Sequence, residues 1–261
     1  DLISGDFPTV VSPNPEEPAA MEMAIKKAIE TKADIVMASD PDGDRLGVAV
    51  KNNDGVFVIL NGNQTAMLLT WYIIKKWKET GKLTGKEYII KTIVTSETIK
   101  DIAVKNNIEY FDVYTGFKWI AGKIRELEGV KKYICGGEES FGFMPGDFVR
   151  DKDAVASISV MAEIAAWAKD QGKSLYDVLQ EIYEKYGFYG EAVKSYTLKG
   201  KEGLEKIAGA MRALRADKIA QFGGVRVIKS EDIQSGTVTY PDGREESCPL
   251  PKSNVLRYFT E

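Results

Sequence analysis

Apolar positions along the chain alternate between helical and strand-like spacing. Met21, Ile25, Ala28 and Ile29 recur on one face, which predicts a helix over residues 15–31 with Asn14 as its N-cap and Pro15 as its first residue. The pattern then predicts a strand at 34–38, a hairpin of 46–50 with 56–60, a helix from 61 to 78, a strand at 87–95, a helix at 96–107, a strand at 108–113, a helix at 117–127 and a strand at 132–135. This alternation predicts an α/β fold, a doubly wound, largely parallel mixed sheet with helices on both faces.

The rest of the chain carries two further helices and then a helix with more polar strands. Residues 153–169 are nearly all small or apolar, so the pattern predicts a buried helix there, followed by a second helix at 174–186. The segment 191–198, a helix at 200–213 and strands at 225–229, 235–240 and 255–259 look like the start of another domain, with the junction at 186–190.

Three carboxylates follow the apolar strand at 35–39. Asp40, Asp42 and Asp44 are spaced two residues apart, and such crowding is repulsive unless a hard divalent cation binds their oxygens, as magnesium does together with a substrate phosphate. Arg45 then offers a planar donor for that phosphate. An Asp-rich turn is the simpler alternative, because Pro, Asp and Gly are turn formers. An EF-hand is excluded, since Arg45 stands where its glycine belongs and Lys51 where its bidentate Glu belongs.

Two further groups of side chains suit a phosphorylated sugar. Glu138 and Ser140 alternate on a glycine-flanked loop, so they face one side and are able to bind vicinal hydroxyls, although solvated acids in a turn explain them as well. The basic residues Lys118, Arg150 and Lys152 either bind phosphate or are simply solvated. The loops at Asp40, Thr115 and Gly136 each follow a predicted strand, and ligands of open α/β sheets bind outside the carboxyl ends of strands. These loops are therefore expected to lie close together at the carboxyl end of the sheet.

Composition narrows the possible partners. The net charge of −4 and the pI near 5.3 give no basic footprint for nucleic acid, so none is expected as a partner. The apolar stretch 66–74 is too short to span a bilayer, so no membrane role is expected. The 2 cysteines form no metal spacing and suit a reducing cytoplasm. With 0 histidines, Ser-His and Cys-His nucleophilic pairs are excluded within the chain.

Four motifs together resemble one enzyme family, the α-D-phosphohexomutases, which include phosphoglucomutases and phosphomannomutases. Asp-Pro-Asp-Gly-Asp-Arg at 40–45 resembles the family's metal loop, and Gly-Glu-Glu-Ser-Phe-Gly at 137–142 resembles its sugar-recognition loop. Thr-Gly-Phe-Lys at 115–118 and Arg-Asp-Lys-Asp at 150–153 resemble two more of its segments, the second from the glucomutase branch. Four motifs in family order across roughly 115 residues make coincidence improbable.

The resemblance implies a magnesium-dependent enzyme that moves phosphate between O1 and O6 of a hexose phosphate, through a phosphoserine and a sugar bisphosphate that is both intermediate and activator. It favours glucose over mannose, and a pentose phosphate is also conceivable. The roles it implies are metal binding by Asp40, Asp42 and Asp44, phosphate contacts and catalysis by Arg45, Lys118 and Lys152, and substrate binding by Thr115, Gly116, Glu138, Ser140 and Arg150.

The resemblance also predicts that the chain is the middle portion of a longer enzyme. The family's phosphoserine motif of the Thr-Ala-Ser-His-Asn-Pro type is not in the sequence, and neither is its Arg-Pro-Ser-Gly-Thr-Glu-Pro type phosphate-binding loop. Residues 1–60 would then be the end of domain 2, residues 61–187 domain 3, and residues 188–261 the start of domain 4. The remaining domains of the same enzyme are its expected partners, and the chain alone is expected to be inactive.

Two other functions compete with the mutase. A haloacid-dehalogenase-like phosphatase would use Asp40 as an aspartyl nucleophile in Asp40-Pro41-Asp42, with the Thr95-Ser96 pair and Asp147 and Asp151 as later motifs. It fits less well, because Pro145-Gly146 does not end an apolar strand and the 137–142 loop is left without a role. A non-catalytic module that binds sugar phosphates is the third possibility.

Overall fold

The computed structural model of the chain describes residues 4–192, 194, 196–217 and 219–261. The helices are α1 (Pro18–Thr31), α2 (Gly62–Glu79), α3 (Glu97–Lys105), α4 (Phe117–Leu127), α5 (Ala154–Asp170), α6 (Leu175–Tyr186) and α7 (Gly200–Ala216). The strands are β1 (Ile35–Ser39), β2 (Leu46–Lys51), β3 (Phe57–Leu60), β4 (Glu87–Thr92), β5 (Glu109–Val113), β6 (Lys132–Gly137), β7 (Phe143–Met144), β8 (Gln221–Phe222), β9 (Val225–Asp232), β10 (Thr237–Thr239), β11 (Glu245–Ser247) and β12 (Leu256–Thr260). One compact unit ends at Glu191, and a second begins at Ala192.

The first sheet is the antiparallel meander β1-β2-β3. Strand β2 is buried on both faces, because Val48 and Val50 point to the main core while Ala49 packs against Met21 of α1. Gly47 is needed on this strand, since a Cβ there would lie 2.5 Å from the Cβ of Pro15.

The second sheet has the strand order β5-β4-β6-β7, with β4, β5 and β6 parallel and β7 antiparallel at the edge. Successive residues of β4 point to opposite sides: Ile89 lies in the main core with α2, α3, α5 and α6, whereas Tyr88 and Ile90 pack against α4. Helices thus cover both faces of this sheet, and the predicted α/β class is confirmed. The main core also contains Val48 and Val50, so a layer of helices lies between the two sheets.

Helix α1 begins at Pro18 rather than at Pro15, so the predicted N-terminus is wrong. Its N-cap is Glu17, which has extended backbone angles because the ring of a following proline disfavours helical geometry in the preceding residue. Asn14 instead accepts the backbone N–H of Glu16 at 3.1 Å and forms a turn before the helix. Pro18, three residues after the predicted start, therefore determines where α1 begins.

Two other predicted elements differ clearly from the structure. Strand β4 ends at Thr92, because the N–H of Thr95 turns back to the carbonyl of Thr92 at 3.0 Å. Helix α5 is buried on one face and exposed on the other, where Val155 is 70% accessible, so the prediction of a buried helix is wrong. The two-residue strand β7 was not predicted. The segment 191–198 includes positions 193 and 195, which lie outside the described residues.

The second unit consists of α7 and an antiparallel sheet of order β11-β10-β9-β12, with β8 paired to β9. Predicted strands at 225–229, 235–240 and 255–259 correspond to β9, β10 and β12, and the predicted helix corresponds to α7. Buried apolar side chains in this unit are Val227, Ile233 and Val238. In the part of the chain that the structure describes, no helix is both long and apolar enough to cross a membrane.

Substitution of Gly136 by alanine should destabilise the first unit. A Cβ there would lie 2.3 Å from the carbonyl oxygen of Ile90 on the neighbouring strand, so Gly136→Ala is expected to cost about 1–3 kcal/mol or more. All 4 tryptophans lie in this unit, so their fluorescence during urea denaturation reports its unfolding.

Gly122→Ala is the matched control, since nothing lies within 4 Å of a Cβ at that position of α4. It should raise stability by about 0.5–1 kcal/mol, because alanine loses less conformational entropy than glycine in a helix. Equal effects of the two substitutions would contradict the packing described for β4 and β6.

Candidate active site

The loop between β1 and β2, residues 40–45, is called here the acidic loop. Asp40 Oδ1 accepts the backbone N–H groups of Asp44 at 3.1 Å and Arg45 at 3.0 Å, which closes the turn. Gly43 takes φ +72°, a conformation that glycine adopts without a steric penalty. One carboxylate oxygen from each of Asp40, Asp42 and Asp44 lies within 4.8 Å of the others. The loop therefore directs three hard oxygen donors to one point, which fits a divalent cation.

Nearby cations partly balance this negative charge. Arg45 places Nη1 at 3.1 Å from Glu16 and Nε at 3.6 Å from Asp40, while Lys152 places Nζ at 2.8 Å from Asp44 Oδ2. Burial raises the pKa of Asp40, and the adjacent carboxyl of Asp44 raises it further. The site thus holds its carboxylates close together at an electrostatic cost.

The loop that joins β6 to β7, residues 137–142, lies directly beside the acidic loop. The Leu46 N–H donates to the Phe141 carbonyl at 3.0 Å, and Arg45 forms a β-bridge with Gly142. Within the loop, the Glu138 N–H donates to the Gly142 carbonyl at 2.9 Å. Two segments nearly a hundred residues apart in sequence are therefore joined by backbone hydrogen bonds.

Glu138 is the most buried carboxylate of the site, with 5% of its surface accessible. Its Oε1 accepts the backbone N–H of Gly116 at the start of α4, and its Oε2 accepts the Ser140 hydroxyl at 3.4 Å. Burial raises its pKa. The structure thus brings together three residues that the sequence assigned to substrate binding.

The other predicted residues lie in three different places. Lys152 lies between Asp44 and Asp151, with Nζ 5.1 Å from the centre of the Phe117 ring, so it belongs to the cluster. Thr115 and Lys118 are exposed on either side of Gly116, and Lys118 Nζ lies 5.3 Å from the centre of the Trp119 ring. Arg150 is not brought to the cluster, because its guanidinium pairs with Glu128 at 2.8 Å.

Sequence reasoning missed Glu139, which lies between the two predicted sugar ligands. Its Oε2 accepts the hydroxyls of Thr92 and Thr95, each at 3.0 Å. The alternation that places Glu138 and Ser140 on one side of an extended loop also places Glu139 on the other, so the pattern contained a signal for this role. No sequence pattern indicated that Glu16 would pair with Arg45.

Comparison with protein families explains why these loops occur together. The alpha/beta/alpha domain II of phosphoglucomutase/phosphomannomutase matches residues 1–55, and domain III of the same enzymes matches residues 61–186. The chain belongs to the α-D-phosphohexomutase family. Membership confirms the resemblance carried by the four motifs, and it decides against the haloacid-dehalogenase-like alternative in which Asp40 is a nucleophile.

Curated relatives of this phosphohexomutase chain include phosphoglucomutases from staphylococci. The protein from Staphylococcus aureus (strain USA300) is 39% identical over 253 residues, which are 97% of this chain and 45% of the relative. That from Staphylococcus epidermidis is 37% identical over 258 residues, which are 98% of this chain and 46% of the relative. The chain thus spans a little under half the length of the curated relatives that it matches.

Solved structures of phosphohexomutases share the fold. A phosphoglucomutase/phosphomannomutase family protein from Burkholderia thailandensis aligns with a TM-score of 0.59 at 24% identity, over 92% of this chain and 44% of that one. Parafusin, a phosphoglucomutase from Paramecium, aligns with a TM-score of 0.56 at 15% identity, over 94% of this chain and 40% of that one. At such identities the likeness establishes the fold alone.

Replacing Glu138 by glutamine should stabilise the fold at neutral pH. Burial raises the folded-state pKa of Glu138 above its unfolded value, so the folded state holds a proton that is lost as the pH rises, and the ionised carboxylate then weakens folding. Glu138→Gln removes this cost. Its advantage over the wild type in urea denaturation should be largest at pH 7 and should shrink as the pH falls towards the ordinary glutamate pKa. An advantage that grows on acidification would contradict this reading.

Proposed function

We propose that the protein containing these residues is a magnesium-dependent phosphohexomutase that interconverts hexose 1-phosphate and hexose 6-phosphate. The observation that carries the proposal is the pairing of the acidic loop with the 137–142 loop through the Leu46–Phe141 and Arg45–Gly142 backbone contacts. This pairing puts a cluster of oxygen donors beside Glu138 and Ser140, which suit the hydroxyls of a sugar. We also propose the residue division 1–60, 61–187 and 188–261, and the domain II match at 1–55 and the domain III match at 61–186 support its first two parts.

Asp40, Asp42 and Asp44 would hold the magnesium ion, because their oxygens already converge and because carboxylates are the ligands that this ion prefers. When bound, the ion would neutralise charge on the phosphoryl group being transferred. Asp40 contributes a second function through its hydrogen bonds to the Asp44 and Arg45 backbone, which fix the shape of the loop. Asp42 makes no such bond to the backbone of any residue that the structure describes and is exposed, so its carboxylate is available as a ligand.

Arg45, Lys152 and Lys118 would supply the positive charge that binds phosphate oxygens. The Arg45 guanidinium lies 3.6 Å from Asp40 and the Lys152 ammonium group lies 2.8 Å from Asp44. Both cations would therefore be close to a phosphate bound beside these carboxylates. Such groups stabilise charge that grows in the transition state. Lys118 is exposed on the first turn of α4, beside the Gly116 N–H that contacts Glu138.

The sugar would lie against the 137–142 loop, with Thr115 and Gly116 at its edge. Glu138 and Ser140 supply an acceptor and a donor for neighbouring hydroxyls. Arg150 would reach the substrate only after leaving Glu128, and this exposed pair costs little to break. We infer a preference for glucose over mannose from the motifs at 137–142 and 150–153.

The phosphoserine that donates phosphate is expected on a segment outside residues 1–261, since no motif of its type occurs in the chain. Transfer would run from that serine to the sugar, followed by reorientation of the bisphosphate and return of its other phosphate. Residues 1–261 alone are therefore expected to leave glucose 1-phosphate unconverted in a coupled assay, even with magnesium and a sugar bisphosphate present.

Asp42→Asn should abolish mutase turnover in the full-length gene product without unfolding it. The change removes one ligand charge at an exposed position and no core volume. A coupled assay for glucose 1-phosphate conversion gives the activity, and urea denaturation gives the stability. Asp54→Asn in the exposed turn between β2 and β3 is the matched control and should retain full activity. Normal turnover by Asp42→Asn with magnesium would remove the metal assignment.

Ser140→Ala and Glu138→Ala should weaken hexose phosphate binding far more than inorganic phosphate binding. The lost contacts go to sugar hydroxyls, and each hydroxyl left unpaired costs about 1–3 kcal/mol, or roughly a factor of 5 to 150 in affinity. Calorimetric titration of each variant with both ligands gives the comparison. Equal losses for the two ligands would show that the 137–142 loop binds phosphate and not sugar.

A further inference from the structure

Glu139 points away from the proposed sugar ligands and into the fold. The hydroxyls of Thr92 and Thr95 both lie 3.0 Å from its Oε2 and 2.7 Å from one another. Thr92 is fully buried and Thr95 is 2% exposed, so neither side chain is available to a substrate. The three side chains, Glu139, Thr92 and Thr95, are called here the threonine clamp.

The turn that carries both threonines is itself fixed in the core. Lys91 is fully buried, and its Nζ donates to the Thr95 carbonyl at 3.1 Å. The same ammonium group lies 2.9 Å from Glu97 and 3.0 Å from Asp112, so its charge is compensated on two sides. A buried lysine with two carboxylate partners is costly to move, because taking it away from them leaves a buried charge unpaired. The clamp is therefore attached to a rigid part of the sheet.

The main chain of Glu139 is equally confined. A Cβ on Gly62, the first residue of α2, would lie only 1.8 Å from the Glu139 carbonyl oxygen, so the loop rests directly on the helix. Two residues further, Phe141 takes φ +66°, which is unfavourable for a residue with a Cβ. Such a conformation persists only where the surroundings hold it in place. The threonine clamp is one of the contacts that do so.

We propose that Thr92 and Thr95 are positioning residues for hexose binding, which act through Glu139 to hold Glu138 and Ser140 in their binding arrangement. The proposal rests on the proposed function, because it takes Glu138 and Ser140 as the sugar ligands. Glu138 contacts Ser140 and the Gly116 N–H, whereas Glu139 contacts Thr92 and Thr95. Holding the Glu139 side chain therefore restricts the backbone that carries its two neighbours. The clamp supplies preorganisation and makes no contact with the sugar.

The test is the double variant Thr92→Val/Thr95→Val in the full-length gene product, which removes two hydroxyls and keeps the side-chain volume. With the loop no longer held, the KM for glucose 1-phosphate should rise about tenfold, equivalent to about 1.4 kcal/mol, while kcat changes less than about threefold. Amide hydrogen exchange at residues 138–142 should become faster. A merely structural role would instead reduce the amount of folded enzyme, which lowers the apparent kcat and leaves KM unchanged.

Two controls separate the clamp from general damage. Thr65→Val removes another buried threonine hydroxyl, one that meets no hydrogen-bond partner among the described residues, and it should change neither KM nor the exchange of the loop. Thr92→Ser/Thr95→Ser keeps both hydroxyls and should restore the wild-type KM. If the valine variant does not fold, Glu139→Gln provides the second test, since it keeps the shape of the side chain and weakens its bonds to both hydroxyls.

The outcomes also distinguish this proposal from the proposed function. A full-length wild-type protein that shows no mutase turnover with magnesium and a sugar bisphosphate would overturn the proposed function. Hydrogen exchange at residues 138–142 would then be the test of whether the threonine clamp positions the loop. Faster exchange at 138–142 in the valine or glutamine variant supports positioning. Wild-type exchange and wild-type KM in a folded clamp variant would overturn the proposal while leaving the mutase assignment intact.

Discussion

Repulsion among the three aspartates of the acidic loop governs how the site is assembled. Carboxylates that converge within 4.8 Å must be compensated, and the chain does so with a cation from the same loop, Arg45, and with Lys152 from just before α5. These pairs are partly exposed and so add little to the free energy of unfolding. Their effect is local: the Lys152–Asp44 pair, together with the Ala154 N–H that donates to the Gly43 carbonyl at 3.1 Å, holds the start of α5 against the acidic loop.

The same physics explains the two glutamates of the 137–142 loop. Burial disfavours the charged form of Glu138, yet the Gly116 N–H and the Ser140 hydroxyl recover part of its lost hydration. Glu139 is stabilised by two hydroxyls in the fold interior. The Glu138 carboxylate is thus held, at some cost in stability, where a ligand would contact it. The Glu139 carboxylate fixes the loop. Sites commonly sacrifice stability in this way for the sake of function.

Much of the first unit was predictable because local and tertiary preferences agree there. Helix α4 occurs at the residues predicted from its periodicity, and α2 begins at Gly62, one residue after its predicted start. The start of α1 was missed although Pro18 carried the signal, and α5 was misjudged because its small residues hide which face is buried. The partners of Arg150 and Lys152 depend on which segments meet in three dimensions, and residue type alone does not contain that information.

The acidic loop and the 137–142 loop belong to different sheets. The backbone contacts between the two loops therefore determine how they are placed relative to each other. Leu46, at the start of β2, is 1% exposed and gives its N–H to the Phe141 carbonyl, so moving either loop alone would leave a buried donor unpaired. Such a loss costs about 1–3 kcal/mol, which is comparable to a whole ligand contact. The helix layer shared by both sheets prevents the sheets from separating to relieve that cost. The acidic loop and the 137–142 loop therefore behave as one structural element.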